Sequence, residues 1–416
     1  MAPARKTDIL VAGAGAAGLS SALALARAGF EVVCVGGLDR RANGRTVALF
    51  EASLRFYRAL GLWPTLKARS APIARIAMID ATGSRFKAPT LAFAAAEIGL
   101  SAFGANVENH VLVEELERAA RATPGLSLRE TMVADASFGP DEAQVLLADG
   151  ERVEASLVVA ADGRASLIRS RAGLEARAWR YPQTALTALL AHEKPHRSTS
   201  TEFHTRAGPC TLVPLAPREG APFRSSLVWL MEDDEARRRA ALSDAELAAE
   251  VEAQVGSLLG GMTIEGARGA FAMAGMIAPK LCGPRVALVG ETAHVFPPLA
   301  AQGLNLSLRD VAALVEAVED ARAVGQDVGS PLTLEPYDRA RRGDVGLRAH
   351  GVDLLNRSFL SAFAPVDLLR GAGFAAFAAL GPLRRALMRE GVLTHGALPR
   401  LMQAPQPVRE PRAGAR

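Results

Sequence analysis

Cysteine is scarce in this chain. The three residues, Cys34, Cys210 and Cys282, lie far apart and form no Cys-x-x-Cys pair. That excludes a thiolate zinc site and the redox dithiol of a disulfide reductase, and it fits a reducing, intracellular compartment. Long apolar runs are missing too. The nearest, Phe359 to Leu380, is broken by Asp367 and Arg370, whereas a membrane span needs roughly 20 apolar residues. Charge of one sign is also lacking: 48 Lys and Arg face 44 Asp and Glu, a net of +4. Without clustered cations, a nucleic-acid partner is not expected; the small surplus favours at most a peripheral contact with an anionic membrane face. The basic start followed by an apolar run imitates a signal peptide, but Asp8 and the glycines at 13, 15 and 18 break the imitation. What remains is 416 residues, 49% of them hydrophobic, enough for two lobes of a soluble protein rather than one core.

The chain opens β-α-β. Asp8 to Ala12 reads as a buried strand, Ala16 to Ala28 as a helix and Glu31 to Val35 as a second strand, which implies a parallel sheet. A helix is expected over Val47 to Leu60 and another over His110 to Ala122. Leu157 to Ala161 is a continuous apolar strand of the kind central parallel strands show. From about Arg180 to Pro279 the pattern becomes β-rich, interrupted by a helix at Ser243 to Leu259 whose Ser243 and Glu246 suit a capping box. An apolar strand at Arg285 to Val289 then resumes the parallel pattern, and the rest reads as helical to about Leu393. The expected fold is α/β: a discontinuous Rossmann-like domain (1–80, 105–175, 280–345), a second domain with a mixed or antiparallel sheet (81–104, 176–279), a C-terminal helical region (346–402) and a disordered tail (403–416).

Three segments carry chemistry. Gly13-Ala14-Gly15-Ala16-Ala17-Gly18 sits between strand and helix. Gly13 permits the tight turn, Gly15 lets a pyrophosphate approach the backbone, and Gly18 lets helix meet strand; the helix N-terminus faces the anion. The acid that commonly ends the second strand is absent: Val35 is followed by Gly36 and Gly37. The second segment, Ala160 to Ser166, puts Asp162 and Gly163 at a strand's C-terminal end, where ligands bind in open α/β sheets. The third runs from Gly290-Glu291-Thr292-Ala293-His294 through Pro297 to Gln302-Gly303-Leu304-Asn305. There a helix begins, and its first amides at 303 to 305 are free to bond a ligand oxygen bearing negative charge. His294 has no second His or Cys at metal-ligand spacing, so no metal is expected, and a structural or solvent-facing role is favoured for it over general-base work.

Together and in this order, these segments resemble the para-hydroxybenzoate-hydroxylase-like FAD monooxygenases, and within them the ubiquinone-biosynthesis hydroxylases, over roughly residues 7 to 390. Arg45 to Leu49 resembles the family's arginine segment, and Val107 to His110 its Glu-Asn-Arg segment with His110 in place of Arg. Gly208 to Leu215 and Ser226 to Trp229 resemble the substrate-lobe strands of the quinone enzymes, and Tyr337 to Arg342 their late helix. The resemblance implies an FAD site built from Gly13, Gly15, Ala16, Ala17 and Gly18, from Arg45, Asp162 and Gly163, and from Gly290, Glu291, Pro297, Gln302, Gly303, Leu304 and Asn305. It implies NAD(P)H as a transient reductant (or a protein donor), a flavin hydroperoxide as oxygen donor, and a lipid-linked phenol or quinol as substrate. Other ubiquinone-biosynthesis proteins are its implied partners. Two departures surround the same cofactor besides Gly36: Glu291 replaces the family Asp, and Ala301 the first Gly of Gly-Gln-Gly.

The residues name no catalytic base; His204, Arg206 and Tyr181 lie in the substrate lobe without an assigned role. Two other readings stay open. One is a monooxygenase for a small soluble phenol, which would work without a membrane. The other is a degenerate flavin fold serving as a scaffold, which flavin uptake and NAD(P)H oxidation would exclude. The apolar C-terminal stretch with Phe359, Phe363, Phe374 and Phe377, followed by Arg384, Arg385 and Arg389, is either an interfacial helix pair admitting a prenyl tail or a helical layer capping the core.

Overall fold

A computed structural model describes residues 4–83, 89–297, 301–360, 381–393 and 398–404. The chain begins with β1 (Arg5–Ala12), α1 (Ala16–Arg27) and β2 (Val32–Val35). Nine consecutive residues of α1, Gly18 to Ala26, are buried, because the helix is covered on both sides and carries no charge before Arg27. Leu19, Leu23 and Leu25 are fully enclosed, each contributing roughly 1.5–3 kcal/mol. Next come β3 (Thr46–Phe50), α2 (Glu51–Ala59), α3 (Trp63–Ala68), β4 (Ser70–Ile73), β5 (Arg75–Asp80), β6 (Leu91–Ala94), β7 (Gly104–Glu108) and α4 (Asn109–Arg121). The helix expected from Val47 therefore starts only at Glu51. Thr46 to Phe50 pairs antiparallel with β7, and that ladder prevails over the helical spacing of Phe50, Leu54 and Tyr57.

The middle contains β8 (Leu126–Arg129), β9 (Val133–Phe138), β10 (Ala143–Leu147), β11 (Arg152–Ala160), α5 (Leu167–Arg171), β12 (Arg177–His192), β13 (Thr199–His204), β14 (Pro209–Leu215) and β15 (Arg224–Met231). Two helices follow, α6 (Asp233–Ala240) and α7 (Asp244–Gln254), the latter with the expected Ser243–Glu246 capping box. The chain closes with β16 (Met262–Ile277), β17 (Cys282–Gly283), β18 (Val286–Leu288), β19 (His294–Val295), α8 (Gln302–Ala323), α9 (Pro331–Leu360) and α10 (Gly381–Val392).

Among the described residues the strands form three sheets. The first has the order β17-β18-β11-β1-β2-β8, parallel from β18 to β8, with β10 and β9 added antiparallel beside β11. The second has the order β19-β16-β12-β15-β14-β13-β5-β6 and is antiparallel except between β13 and β5. Arg75 to Asp80, which the sequence reading assigns to the nucleotide domain, thus pairs in the second sheet. The small third sheet, β3-β7-β4, lies against the second: Thr46 and the Asn106 amide both bond the Ser226 hydroxyl.

The main core surrounds the parallel sheet, and a separate core lies between the second sheet and α6 and α7. α10 buries Met388 and Val392 against Ile98 and Phe103, and its Arg384 bonds Glu97 and stacks on Phe93. Phe363, Phe374, Phe377 and the tail beyond Ala404 lie outside the described residues. No helix among the described residues is long and apolar enough to cross a membrane.

Candidate functional site

Three adjacent parallel strands end side by side. Ala12 of β1 pairs with Ala160 of β11, which pairs with Leu288 of β18. The three chemical segments leave from these ends, the crevice where open α/β sheets bind ligands. Side-chain links then lock the loops together. Thr292 Oγ1 donates to the Ala160 carbonyl over 2.8 Å. Arg169 donates to the carbonyls of Thr292 and Arg164, each over 2.9 Å. Arg164 and Glu291 form an exposed ion pair at 3.7 Å.

The glycines at these loops divide into two kinds. At Gly13, with φ +114, a Cβ would overlap the Ala161 carbonyl; at Gly18 it would overlap the Gly13 carbonyl. Gly290, with φ +64, faces Ser307 of α8 and Ala17 of α1. These three exist for packing. At Gly15, Gly163 and Gly303, by contrast, an added Cβ would meet nothing within 4 Å. Each loop therefore contributes one glycine with open space beside it, and Gly15 and Gly303 lie at the starts of α1 and α8. Two helix N-termini bordering a shared opening suit an elongated anionic ligand such as a dinucleotide.

Gly36, where an acid was missed, has no room: a Cβ there would crowd the Ala14 amide, whereas Gly37 faces open space. The Asp162 carboxylate is occupied locally. It accepts from Ser166 Oγ over 2.6 Å and from the Ile168 amide over 3.2 Å, bracing the start of α5. Burial lowers the Arg169 pKa, and the nearby Asp162 opposes that shift. Pro297 is buried.

Asn305 is also fully used. Its Oδ1 accepts from the Phe50 amide and Ser53 hydroxyl, and its Nδ2 donates to the Ala48 and Ala301 carbonyls. It clamps the arginine segment to α8. Because α8 begins at Gln302, the free first-turn amides are those of Gln302, Gly303 and Leu304, one residue earlier than the sequence reading set them. The Gln302 side chain is 7% exposed, and its Oε1 has no partner among the described residues. Ala301 holds a left-handed φ of +50 at the helix cap, the conformation that suits the glycine it replaces. Leu304 packs on the main core.

His294 is buried, and its Nε2 lies 2.6 Å from Asp310 Oδ2. Asp310 also accepts from the Gly290 amide at 3.0 Å and from Arg341 at 2.8 Å. Arg341 continues to Asp344, which Arg309 and Arg348 also reach. Burial alone would raise the Asp310 and Asp344 carboxyls. The surrounding cations (with His294 for Asp310) overcome it and hold both below the usual range. Burial lowers Arg309 to about 10. The structural reading of His294 fits this network, which fixes the turn at Gly290. The network itself was missed, although a charged pair, Arg309-Asp310, between Leu308 and Val311 on a core-facing helix was a visible signal.

Arg45 directly precedes β3. It is exposed, and its guanidinium lies 5.1 Å from the ring centre of Phe271 in the second sheet. His110 faces Glu108 at 3.8 Å. Glu108 also pairs with Arg224, which binds Glu265 at 2.6 Å. Arg206 donates to the Thr82 carbonyl, and Tyr181 joins an apolar cluster with Met273 and Leu230.

A family model described as an FAD binding domain matches residues 6–343. The chain is 36% identical to a ubiquinone hydroxylase, UbiL, of Rhodospirillum rubrum, over 95% of this chain and 92% of that protein. It is 33% identical to the 3-demethoxyubiquinol 3-hydroxylase of Escherichia coli, over 92% and 97% of the two chains. The crystal structure of p-nitrophenol 4-monooxygenase PnpA from Pseudomonas putida superposes with a TM-score of 0.76 at 18% identity, covering 94% of this chain and 100% of that one. This last likeness is one of fold.

Proposed function

The chain belongs to the FAD-binding-domain family, and on that premise we propose that it is an FAD-dependent hydroxylase acting on the ring of a polyprenylated phenol or quinol in ubiquinone synthesis. O₂ supplies the oxygen, and NAD(P)H, as a visiting reductant, supplies the electrons. The observation that carries the reading is the convergence of three loops on one crevice bordered by two helix N-termini, joined to relatives whose names are ubiquinone hydroxylases. Bound FAD would supply the activation of oxygen. In this reading the α1 N-terminus and Gly15 receive its pyrophosphate. The amides of Gln302, Gly303 and Leu304 receive the negative charge that the ring system gains on reduction. Arg45, held over Phe271 of the second sheet, would meet the cofactor from that side. The first sheet holds the cofactor and the second presents the substrate, with the facing layers excluding water. The prenyl substrate makes contact at a membrane surface and delivery by partner proteins part of the proposal; the exposed Arg385 and Arg389 of α10 suit such a surface.

The test is the visible spectrum of the purified chain supplied with FAD, followed by turnover of a short-prenyl phenol under labelled O₂. Flavin absorption that bleaches with NAD(P)H, with one labelled oxygen in the product, is expected. Flavin uptake with hydroxylation of small phenols alone would shift the reading to a soluble-phenol enzyme. No uptake at high FAD would overturn it in favour of a scaffold.

A further inference from the structure

The second sheet has two unlike faces. One is closed by α6 and α7, with Cys210, Leu212 and Leu227 at 0–2% exposure. The other carries Ser226, whose hydroxyl bonds Thr46 and Asn106 of the third sheet. On that second face the strand register draws one straight row: Leu91, Met78, Glu202, Thr211, Val228 and Thr187. Directly paired residues share a face, so Glu202 and, two positions on, His204 both lie on the face that carries Ser226. Met78, Glu202, Thr211 and Val228 each keep part of their surface open, although the row crosses the middle of the sheet. Glu202 is ringed by protein and still keeps 21% of its side-chain surface accessible. Its carboxylate is thus part-open on the face of the sheet that carries Ser226.

We propose that Glu202 contacts the substrate and takes the proton of its ring hydroxyl, with Thr211 and His204 beside the carboxylate. The assignment rests on the hydroxylase reading above. Thr211 lies directly opposite on β14, and its hydroxyl opposes the effect of burial on the carboxyl; His204 Nε2 lies 3.2 Å from Glu202 Oε1. In the step itself the ring O–H bond breaks, its electron pair stays on the ring oxygen, and the proton forms a new O–H bond on Glu202. Charge moves from carboxylate to ring, which makes the ring carbons ortho and para to that oxygen more nucleophilic. The proton returns when the product hydroxyl is restored. Burial pushes the Glu202 carboxyl up to about 7, near a phenol at ~10. The mismatch is then roughly three units where an ordinary carboxylate would leave roughly six, which is the direction general-base catalysis requires. The other titratable groups nearby are Asp80, beside His204 on β5, and Cys210, reached through the sheet with Arg239 beyond it.

The experiment uses the FAD-loaded full chain and Glu202→Gln. Flavin uptake equal to wild type certifies the fold. The wild-type pH profile of kcat/KM for a short-prenyl phenol is expected to rise through a limb near pH 7. Glu202→Gln is expected to lose that limb and to fall by about 10²–10³ in kcat, with KM changed by less than about threefold. A fluorinated phenol with a more acidic hydroxyl should recover at least about tenfold of the loss. If Glu202→Gln fails to take up flavin, Glu202→Asp, which keeps the charge, must retain the limb at reduced rate. An unchanged limb and rate in Glu202→Gln, or a limb lost in Glu202→Asp, overturns the assignment. A wild type that hydroxylates no phenol overturns the hydroxylase reading and this assignment with it.

Discussion

Gly13 and Gly15 lie two residues apart and should respond differently to a side chain. Gly13 has φ +114 and no space beside the Ala161 carbonyl; Gly15 has φ −77 and open space. Gly13→Ala is therefore expected to lose folded yield, because strain and overlap act in the strand-end turn itself. Gly15→Asp is expected to fold with a wild-type circular dichroism spectrum while losing FAD affinity at least about a hundredfold, since its carboxylate occupies the anion's place. Equal flavin binding by Gly15→Asp would remove α1 from the site. Glu202 permits a second test at the same scale. Its folded pKa, about 7, is raised above the ordinary value of 4.5. A raised carboxyl contributes stability below the unfolded pKa and loses it as pH climbs through the folded one. Above pH 7 the wild type thus bears a cost of order 3 kcal/mol, and Glu202→Gln should unfold at higher urea than wild type at pH 8 but not at pH 4. This partly open carboxylate was invisible in the sequence, because only strand register reveals which face a Glu occupies.

The helix α8 is where sequence and structure agree on type and differ by one residue. Its apolar spacing was readable, but its start depends on Ala301 adopting a left-handed cap, which spacing alone does not disclose. The same limit applies to β3. Thr46 to Phe50 has helical spacing continuous with α2, and only pairing with the distant β7 turns it into a strand. Asn305 was readable as a site residue, yet its side chain joins these two elements, a contact across more than 250 positions that a local pattern cannot encode. At α8 the prediction is a separation of stability from binding. Gly303 has open space at its Cβ position, and a carboxylate in a helix's first turn stabilises by about 0.3–1 kcal/mol. Gly303→Asp should therefore melt no lower than wild type without FAD, while binding FAD at least about tenfold more weakly and showing a lower flavin reduction potential, because a fixed negative charge disfavours the reduced, anionic form. A variant that melts normally and keeps both affinity and potential would show that α8 does not face the flavin.

Over the whole molecule, the parallel order of the first sheet and the discontinuous nucleotide fold were legible because each strand-end motif has a local signature of glycine and apolar run. The tie between site and C-terminal helices was not legible, since it consists of charges meeting in the interior. Asp310 joins the Gly290 turn, His294 and Arg341, and Asp344 gathers Arg309, Arg341 and Arg348. Both carboxyls are held below their ordinary value of 3.8. A depressed carboxyl contributes stability that is present above its unfolded pKa and is lost as pH falls through the folded one. Stability should then drop steeply below about pH 4, where these groups begin to be protonated in the unfolded chain. Asp310→Asn removes one buried partner and leaves Arg341 and His294 facing an uncharged amide, at a cost of about 3–5 kcal/mol at pH 7. Urea midpoints for wild type and variant at pH 7, 5 and 3 decide the matter. The gap should be widest at pH 7 and 5 and shrink at pH 3, as the wild type loses the same charge that the variant lacks. A gap that stays constant down to pH 3 would mean that Asp310 acts by shape and hydrogen bonding alone, and the interior charge network would not be what fastens the third loop to the C-terminal helices.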